Sequence, residues 1–147
     1  MERYTEIGDF IRLKNEVRLN HDYKGNDDNG NPLYINTSPY PTLKFRGTVK
    51  IHGTNASISK TKNGDNYDYK FHSRDRVLSL KDDNSEFMKH MLNLDYISLF
   101  NTIEFNERCV IYGEWCGKGI MKGTGINQLD KLFVIFAIRI DGNYVDL

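Results

Sequence analysis

The sequence predicts an α+β fold, with mostly antiparallel, twisted sheets and a helix packed outside them. Three observations carry this. Short strand-like segments recur at 43–51, 55–73, 108–115 and 131–140, at lengths typical of strands. Asn63-Gly64 and Asp141-Gly142 are hairpin-turn dipeptides, because the favoured turn needs positive φ at both central residues. A single stretch, 82–100, carries a convincing helical stripe.

Taken in order, residues 22–41 are rich in Asn, Asp, Gly and Pro and read as a loop. Asp22, Asp27 and Asp28 within it resemble a metal cluster only superficially, and the metal ligands stay unknown. "LKFRGTVKI" alternates: Leu43, Phe45, Gly47, Val49 and Ile51 share one face, while Lys44, Arg46, Thr48, Lys50 and His52 share the other. That pattern predicts a half-buried strand with a basic face, ended by Gly53. "NASISKTKNGDNYDYKFHS" predicts a hairpin, with Tyr67, Tyr69 and Phe71 on one face of its second strand. In the predicted helix, Asp83 with Glu86 suggests a capping box, and Phe87, Met88, Met91 and Leu92 form the apolar stripe. "RCVIYGEW" and "KLFVIFAIRI" are two further strands, the second apolar on both faces and so expected to be central. Asp141-Gly142 then opens a last hairpin whose second strand is only "NYVDL", which suggests a fragment.

Composition bounds the function. The 147 residues suit one domain or part of one, and 20 basic residues balance 20 acidic ones. A neutral surface does not attract nucleic acid as a whole, so such binding requires a local basic patch. No apolar run reaches the ~20 residues that span a bilayer, and "MERYTEIGDF" lacks the basic-then-apolar order of a signal peptide. Cys109 and Cys116 lack zinc-ligand spacing, and their odd separation puts them on opposite strand faces as reduced thiols. These features point to a cytoplasmic protein.

"TVKIHGTNASI" holds the chemically richest cluster. A lysine is a nucleophile only when unprotonated, a state favoured by nearby positive charge and partial desolvation. Lys44, Arg46 and His52 beside Lys50 fit that need. They fit a phosphate-binding surface equally well, and a solvated basic face too. Gly53 lets backbone approach a ligand closely.

Four stretches together resemble a known family. "KIHGTN" (50–55) resembles motif I of the covalent nucleotidyltransferases, specifically the RNA ligase 2-type ATP-dependent RNA ligases. "HSRDR" (72–76), "YGEWCGKGIMK" (112–122) and "KLFVIFAI" (131–138) resemble motifs Ia, III and IIIa, in family order over residues 44–140. The resemblance implies that 1–147 is the N-terminal portion of a nucleotidyltransferase (ATP-grasp-like) domain, with motifs IV and V and any C-terminal domain absent. It implies ATP and magnesium as cofactors, and RNA ends, at a nick or at free termini, as the partner. No membrane association is expected, the oligomeric state is left open with a monomer expected, and the resemblance adds the cytoplasm of a bacterial or phage-infected host cell.

The implied chemistry is a lysyl-adenylate at Lys50, passed to an RNA 5′-phosphate and displaced by a 3′-hydroxyl. By the same resemblance, His52, Gly53 and Asn55 form the motif I turn, and Arg74 contacts nucleotide or RNA. Glu114 accepts from the ribose hydroxyls and Phe136 stacks on adenine. DNA ligation, GTP-dependent mRNA capping and a non-catalytic nucleotide- or RNA-binding module are the alternatives. Residue by residue, Arg74 and Arg76 could instead end a hairpin in solvent, and Phe136 could be plain core. Glu114 between apolar neighbours would be costly to bury without a partner. Tyr112 and Trp115 read as packing aromatics. Lys118 and Lys122 could meet RNA phosphate or only water. Ala137 stands where relatives often carry aspartate, and Val49 where a polar residue is common. With the phosphate-holding motif V lysines absent, the 147-residue chain is expected to adenylylate poorly alone.

Overall fold

The computed structural model describes residues 3–5, 8–45 and 47–145. It divides into two compact units, Thr5–Thr48 and a larger one made of Met1–Tyr4 with Val49–Leu147.

The smaller unit opens with a helix that the sequence reading missed, α1 (Phe10–Asp22). Asp9 caps it by accepting from the Arg12 N–H at 2.7 Å, and Arg12 pairs with Glu16 one turn on. Its apolar residues stay largely outside, Phe10 60% and Ile11 65% exposed, so no buried stripe announced it. The expected loop over 22–41 contains a small antiparallel pair, β1 (Tyr23–Asn26) and β2 (Pro32–Tyr34). Asp27 closes the turn between them by accepting from the Asn29 and Asn31 N–H groups. These bonds, Asn31 first, hold its carboxyl below the ordinary value.

Asp22 is buried, and takes hydrogen bonds from Asn36 and Tyr40 while meeting His21 Nδ1 at 3.0 Å. His21 Nε2 in turn lies 3.0 Å from Ser38 Oγ. The atom order is that of a hydrolytic triad. Yet Pro39 has no N–H, so the residue after Ser38 cannot donate to an oxyanion. We read the cluster as a clasp tying residues 36–40 to the end of α1. Among the described residues no group of three or more His, Cys, Asp or Glu is placed to hold a metal.

The strand expected over 43–51 does not form: its described residues have no ladder partner, and Arg46 lies outside the described residues. Alternation alone cannot make a strand without an edge to pair with. Phe45 packs its ring on Phe10 instead, 5.2 Å between centroids, and Val49 is 90% exposed. Among the described residues, Lys44, Lys50 and His52 therefore do not share the strand face expected for them.

The larger unit is a five-stranded antiparallel sheet built from β3 (Thr54–Asn63), β4 (Asn66–Ser73), β5 (Arg108–Cys116), β6 (Leu132–Ile140) and β7 (Asn143–Val145). The spatial order is β4-β3-β5-β6-β7. β5 is the middle strand, and β3 and β6 flank it, each paired on both sides; β6 is thus an inner strand as expected, although it leaves Ile135 and Phe136 exposed. The first hairpin turns one residue later than expected. Asn63 pairs with Asn66, so Gly64 and Asp65 are the central residues, and only Gly64 has positive φ (60°). The second hairpin turns at Asp141-Gly142 as expected, with φ of 46° and 91°.

One face of this sheet packs Ala56, Ile58, Phe71, Cys109, Ile111 and Trp115 beneath α2 (Phe87–Leu92) and a 3₁₀ turn at Tyr96–Phe100. The single helix expected over 82–100 thus splits. The Asp95 carboxylate accepts from the Ser98 N–H, starting a new turn instead of continuing the old one. Asp83 does cap α2, through the Met88 and Lys89 N–H groups. Glu86 does not complete a capping box, because it turns to Lys131 at 2.6 Å. Tyr67, Tyr69 and Phe71 line one face as expected, against Phe105, Tyr96 and Phe87 respectively. Both cysteines are free and buried, and burial pushes the Cys109 thiol up to about 11.

Candidate functional site

β3 begins, β4 and β5 finish, and β6 begins at the same end of the sheet, and most of the candidate residues collect there. Glu114 lies two residues before the end of β5, directly across from Asn55 on β3. Opposed residues of a ladder project to one face, so the two side chains share a side. That side is opposite the helix-covered one, since Trp115 is in the core cluster and Glu114 follows the other alternation.

The Glu114 carboxylate is half-buried. Its Oε1 accepts from the Gly53 N–H at 2.9 Å, and Arg74, Lys50 and His52 all lie within its electrostatic reach. Burial raises its carboxyl above the ordinary value; the Gly53 bond and the nearby Arg74, Lys50 and His52 oppose that rise. A carboxylate left as counter-ion to three basic groups has the partners that its burial demands. The positive groups come from separate elements: Lys50 and His52 from the segment before β3, and Arg74 from the turn after β4. The geometry replaces the single basic strand that alternation suggested.

Gly53 is required by close approach, not by φ. A Cβ there would collide with the Trp115 carbonyl oxygen and stand 2.8 Å from Cys116 Cβ. Gly113 is similarly tight against the Phe133 ring, with Val134 O at 2.7 Å from its virtual Cβ. The motif-like glycines at 53 and 113 thus press neighbouring backbone onto β5 around Glu114.

Arg74 and Arg76 separate cleanly. Ser73 donates its N–H to the Arg76 carbonyl, and its Oγ accepts from the Asp75 and Arg76 N–H groups, making a tight turn with Arg74 exposed at its tip. Arg76 binds Asp82 at 3.0 Å and the Asp83 carbonyl. It is committed to the fold, while Arg74 stays exposed within electrostatic reach of Glu114.

Phe136 is brought to the same face, one alternation (roughly 7 Å) beyond the register partner of Glu114, Val134. A bulge falls at this position. Tyr112 pairs with Ala137 and Gly113 with Ile135, leaving Phe136 as the extra residue. Ala137 packs with Val110, Tyr112 and Tyr4 in a small second cluster. Phe136 stays 39% exposed, with Tyr4 edge-on at 5.0 Å. Tyr4 went unnoticed in the sequence, where nothing periodic surrounds it; it also touches the Tyr112 and Tyr144 rings.

A second missed feature flanks the site. Ser85 and Glu86 are consecutive non-glycine residues at φ 50° and 66°. The Ser85 carbonyl accepts from both the Trp115 indole and Lys131, each at 3.1 Å, and Asn84 donates to Thr54 Oγ1 at 3.2 Å. Strain of this kind persists only where surrounding contacts over-determine it. Lys118 and Lys122 are exposed. No helix among the described residues is long and apolar enough to cross a membrane.

A family model described as RNA ligase matches residues 43–146, which cover every residue of this cluster. Among curated proteins no significant match was found. With its family model spanning most of the sequence and the site residues falling inside the match, the chain belongs to the RNA ligase family.

Proposed function

We propose that this chain carries the nucleotide-charging step of an ATP-dependent RNA ligase, with Lys50 as nucleophile. The observation that carries the reading is the convergence of Lys50, His52 and Arg74 on one half-buried carboxylate, Glu114, beside an exposed Phe136. Unprotonated Lys50 Nζ attacks the α-phosphorus of ATP. The N–P bond forms as the bridging α–β P–O bond breaks, and pyrophosphate departs. Arg74 and His52 offset charge on the phosphates, a role suited to an always-charged fork and a ring that donates. Glu114 accepts from the ribose hydroxyls, Asn55 lies beside it on the same face, and the Phe136 ring offers an apolar surface to the base. The adenylate then passes to an RNA 5′-phosphate, and a 3′-hydroxyl seals the strand with loss of AMP.

The donor set fits ATP, since cations and an aromatic face line one side of the sheet. Glu114 is the only carboxylate in this group, so a magnesium ion would be held there chiefly by the phosphates it neutralises. The test is incubation with α-labelled ATP and magnesium, followed by acid precipitation. The expected result is label on protein, weak for this chain alone and strong for a longer version that carries the motif V lysines, that disappears in Lys50→Ala. Label surviving that substitution sinks the nucleophile assignment, and label from GTP but not ATP redirects the reading to capping.

A further inference from the structure

We propose that Glu114 is also a positioning residue, dividing its carboxylate between two tasks. Oε1 holds the Lys50-bearing segment through the Gly53 amide, and Oε2 is left for the nucleotide. The inference rests on the reading of Lys50 as nucleophile and deepens it.

Residues 49–53 precede β3 and have no ladder of their own. Lys50 and His52 are exposed, so packing does not fix the segment either. Two features at Gly53 register it against β5. One is the 2.9 Å bond from its N–H to Glu114 Oε1. The other is the missing Cβ, whose place is filled by the Trp115 carbonyl and the Cys116 side chain. The adjacent residue, Thr54, is held a third way by the Asn84 amide. The first of these is the one that joins the lysine's segment to a group that also faces substrate. A hydrogen bond to an ionised acceptor is among the stronger ones a protein makes. Nucleotide seated on Oε2 and lysine held by Oε1 are thereby tied to one carboxylate, which fixes the attack geometry on which rate depends.

The assignment separates acceptor function from charge. Glu114→Gln keeps an oxygen at the Oε1 position without the charge. Glu114→Asp keeps the charge but draws it back from Gly53. Glu114→Ala removes both. In the full chain without nucleotide, amide hydrogen exchange at Gly53 should stay within a few-fold of wild type in Glu114→Gln. It should accelerate about 10-fold or more in Glu114→Asp and Glu114→Ala. The amides of Ile58 and Ile111, in the sheet core, report whether the fold survives; should the alanine variant not fold, the aspartate variant decides. Unchanged Gly53 exchange in a folded Asp or Ala variant overturns the proposal.

A second arm compares ATP with 2′,3′-dideoxy-ATP in single-turnover adenylylation. A pure ribose contact makes Glu114→Ala harmless with the dideoxy substrate, and that outcome overturns positioning. A loss of similar size with both substrates supports it. Absence of Lys50-dependent label both in this chain and in a longer version that carries the motif V lysines would sink the catalytic reading alone, since the exchange experiment needs no nucleotide.

Discussion

At the end of the sheet where β3 turns into β4, charge and backbone polarity are neutralised within the fold. Lys60 sits over Tyr67 at 4.3 Å and near Phe105 at 5.5 Å. Asp141 accepts three successive backbone N–H groups, from Asn106, Glu107 and Arg108, at 2.8 to 2.9 Å. At the opposite end, Glu114 is half-buried against one backbone N–H and several exposed cations. Ser85 and Glu86 sit in left-handed backbone there, and glycine backbone is pressed onto β5. The first end satisfies its polar groups; the second holds them ready for something else. Left-handed non-glycine backbone occurs at both ends, at Asp141 as well as at Ser85 and Glu86, but incomplete charge pairing at one of them is what a binding site asks of a scaffold.

The largest expected effect breaks the scaffold under the site. Trp115 is fully buried, touches the Phe87 ring, and its indole holds the Ser85 carbonyl. Trp115→Ala should cost about 3–5 kcal/mol in urea unfolding. A cost under about 1 kcal/mol would mean that the site end does not depend on this anchor.

Next comes a matched pair of glycines, one at each end. Gly53→Ala should cost about 1–3 kcal/mol through overpacking against β5, and should abolish Lys50-dependent labelling. Gly64→Ala has open space around its Cβ and meets only its φ of 60°. It should cost about 1 kcal/mol and leave labelling intact. Equal effects on labelling would erase the contrast between the ends.

Smaller still, and opposite in sign, is Ser85→Gly. Ser85 is exposed and its side chain makes none of the contacts that hold the turn. If the positive φ is stored strain, glycine should stabilise by about 1 kcal/mol. Thermal unfolding measures it, and a destabilised variant would show that the turn is not strained.

The parts of this molecule visible in the sequence were those specified locally. Both hairpins around β3–β4 and β6–β7 follow from short-range turn chemistry, and Phe87 and Met91 fall on the buried side of α2 as their spacing requires. What was missed depends on partners distant in sequence. The alternation at 43–51 was real but had no strand to pair with, and α1 hid because its apolar residues are exposed. The basic cluster around Lys50 is assembled from three-dimensional neighbours, Arg74 above all, and not from one strand face. Glu114 could be singled out as a carboxylate among apolar residues, but its bond to the Gly53 amide spans 61 positions and leaves no trace in spacing.

The contrast between the ends also predicts opposite responses to acid. Three backbone N–H groups, Arg108's first, hold the Asp141 carboxyl below its ordinary value of 3.8. The unfolded chain therefore takes up that proton before the folded one does. Stability from Asp141 is present above about pH 4 and is lost as pH falls through the lower folded value. Glu114 is shifted the other way by burial, above 4.5. Its folded form takes the proton first, so its favourable contribution is present at low pH and fades as pH rises through the raised value. Asp141→Asn should therefore lower the urea midpoint most at neutral pH, with the deficit shrinking toward pH 3. Glu114→Gln, neutral throughout, should gain on wild type as pH rises from about 4 to 7. Both differences are modest, because solvent screens groups this near the surface. An Asp141→Asn deficit undiminished at pH 3 would show that its three hydrogen bonds matter by shape alone, without the charge that separates this end of the sheet from the other.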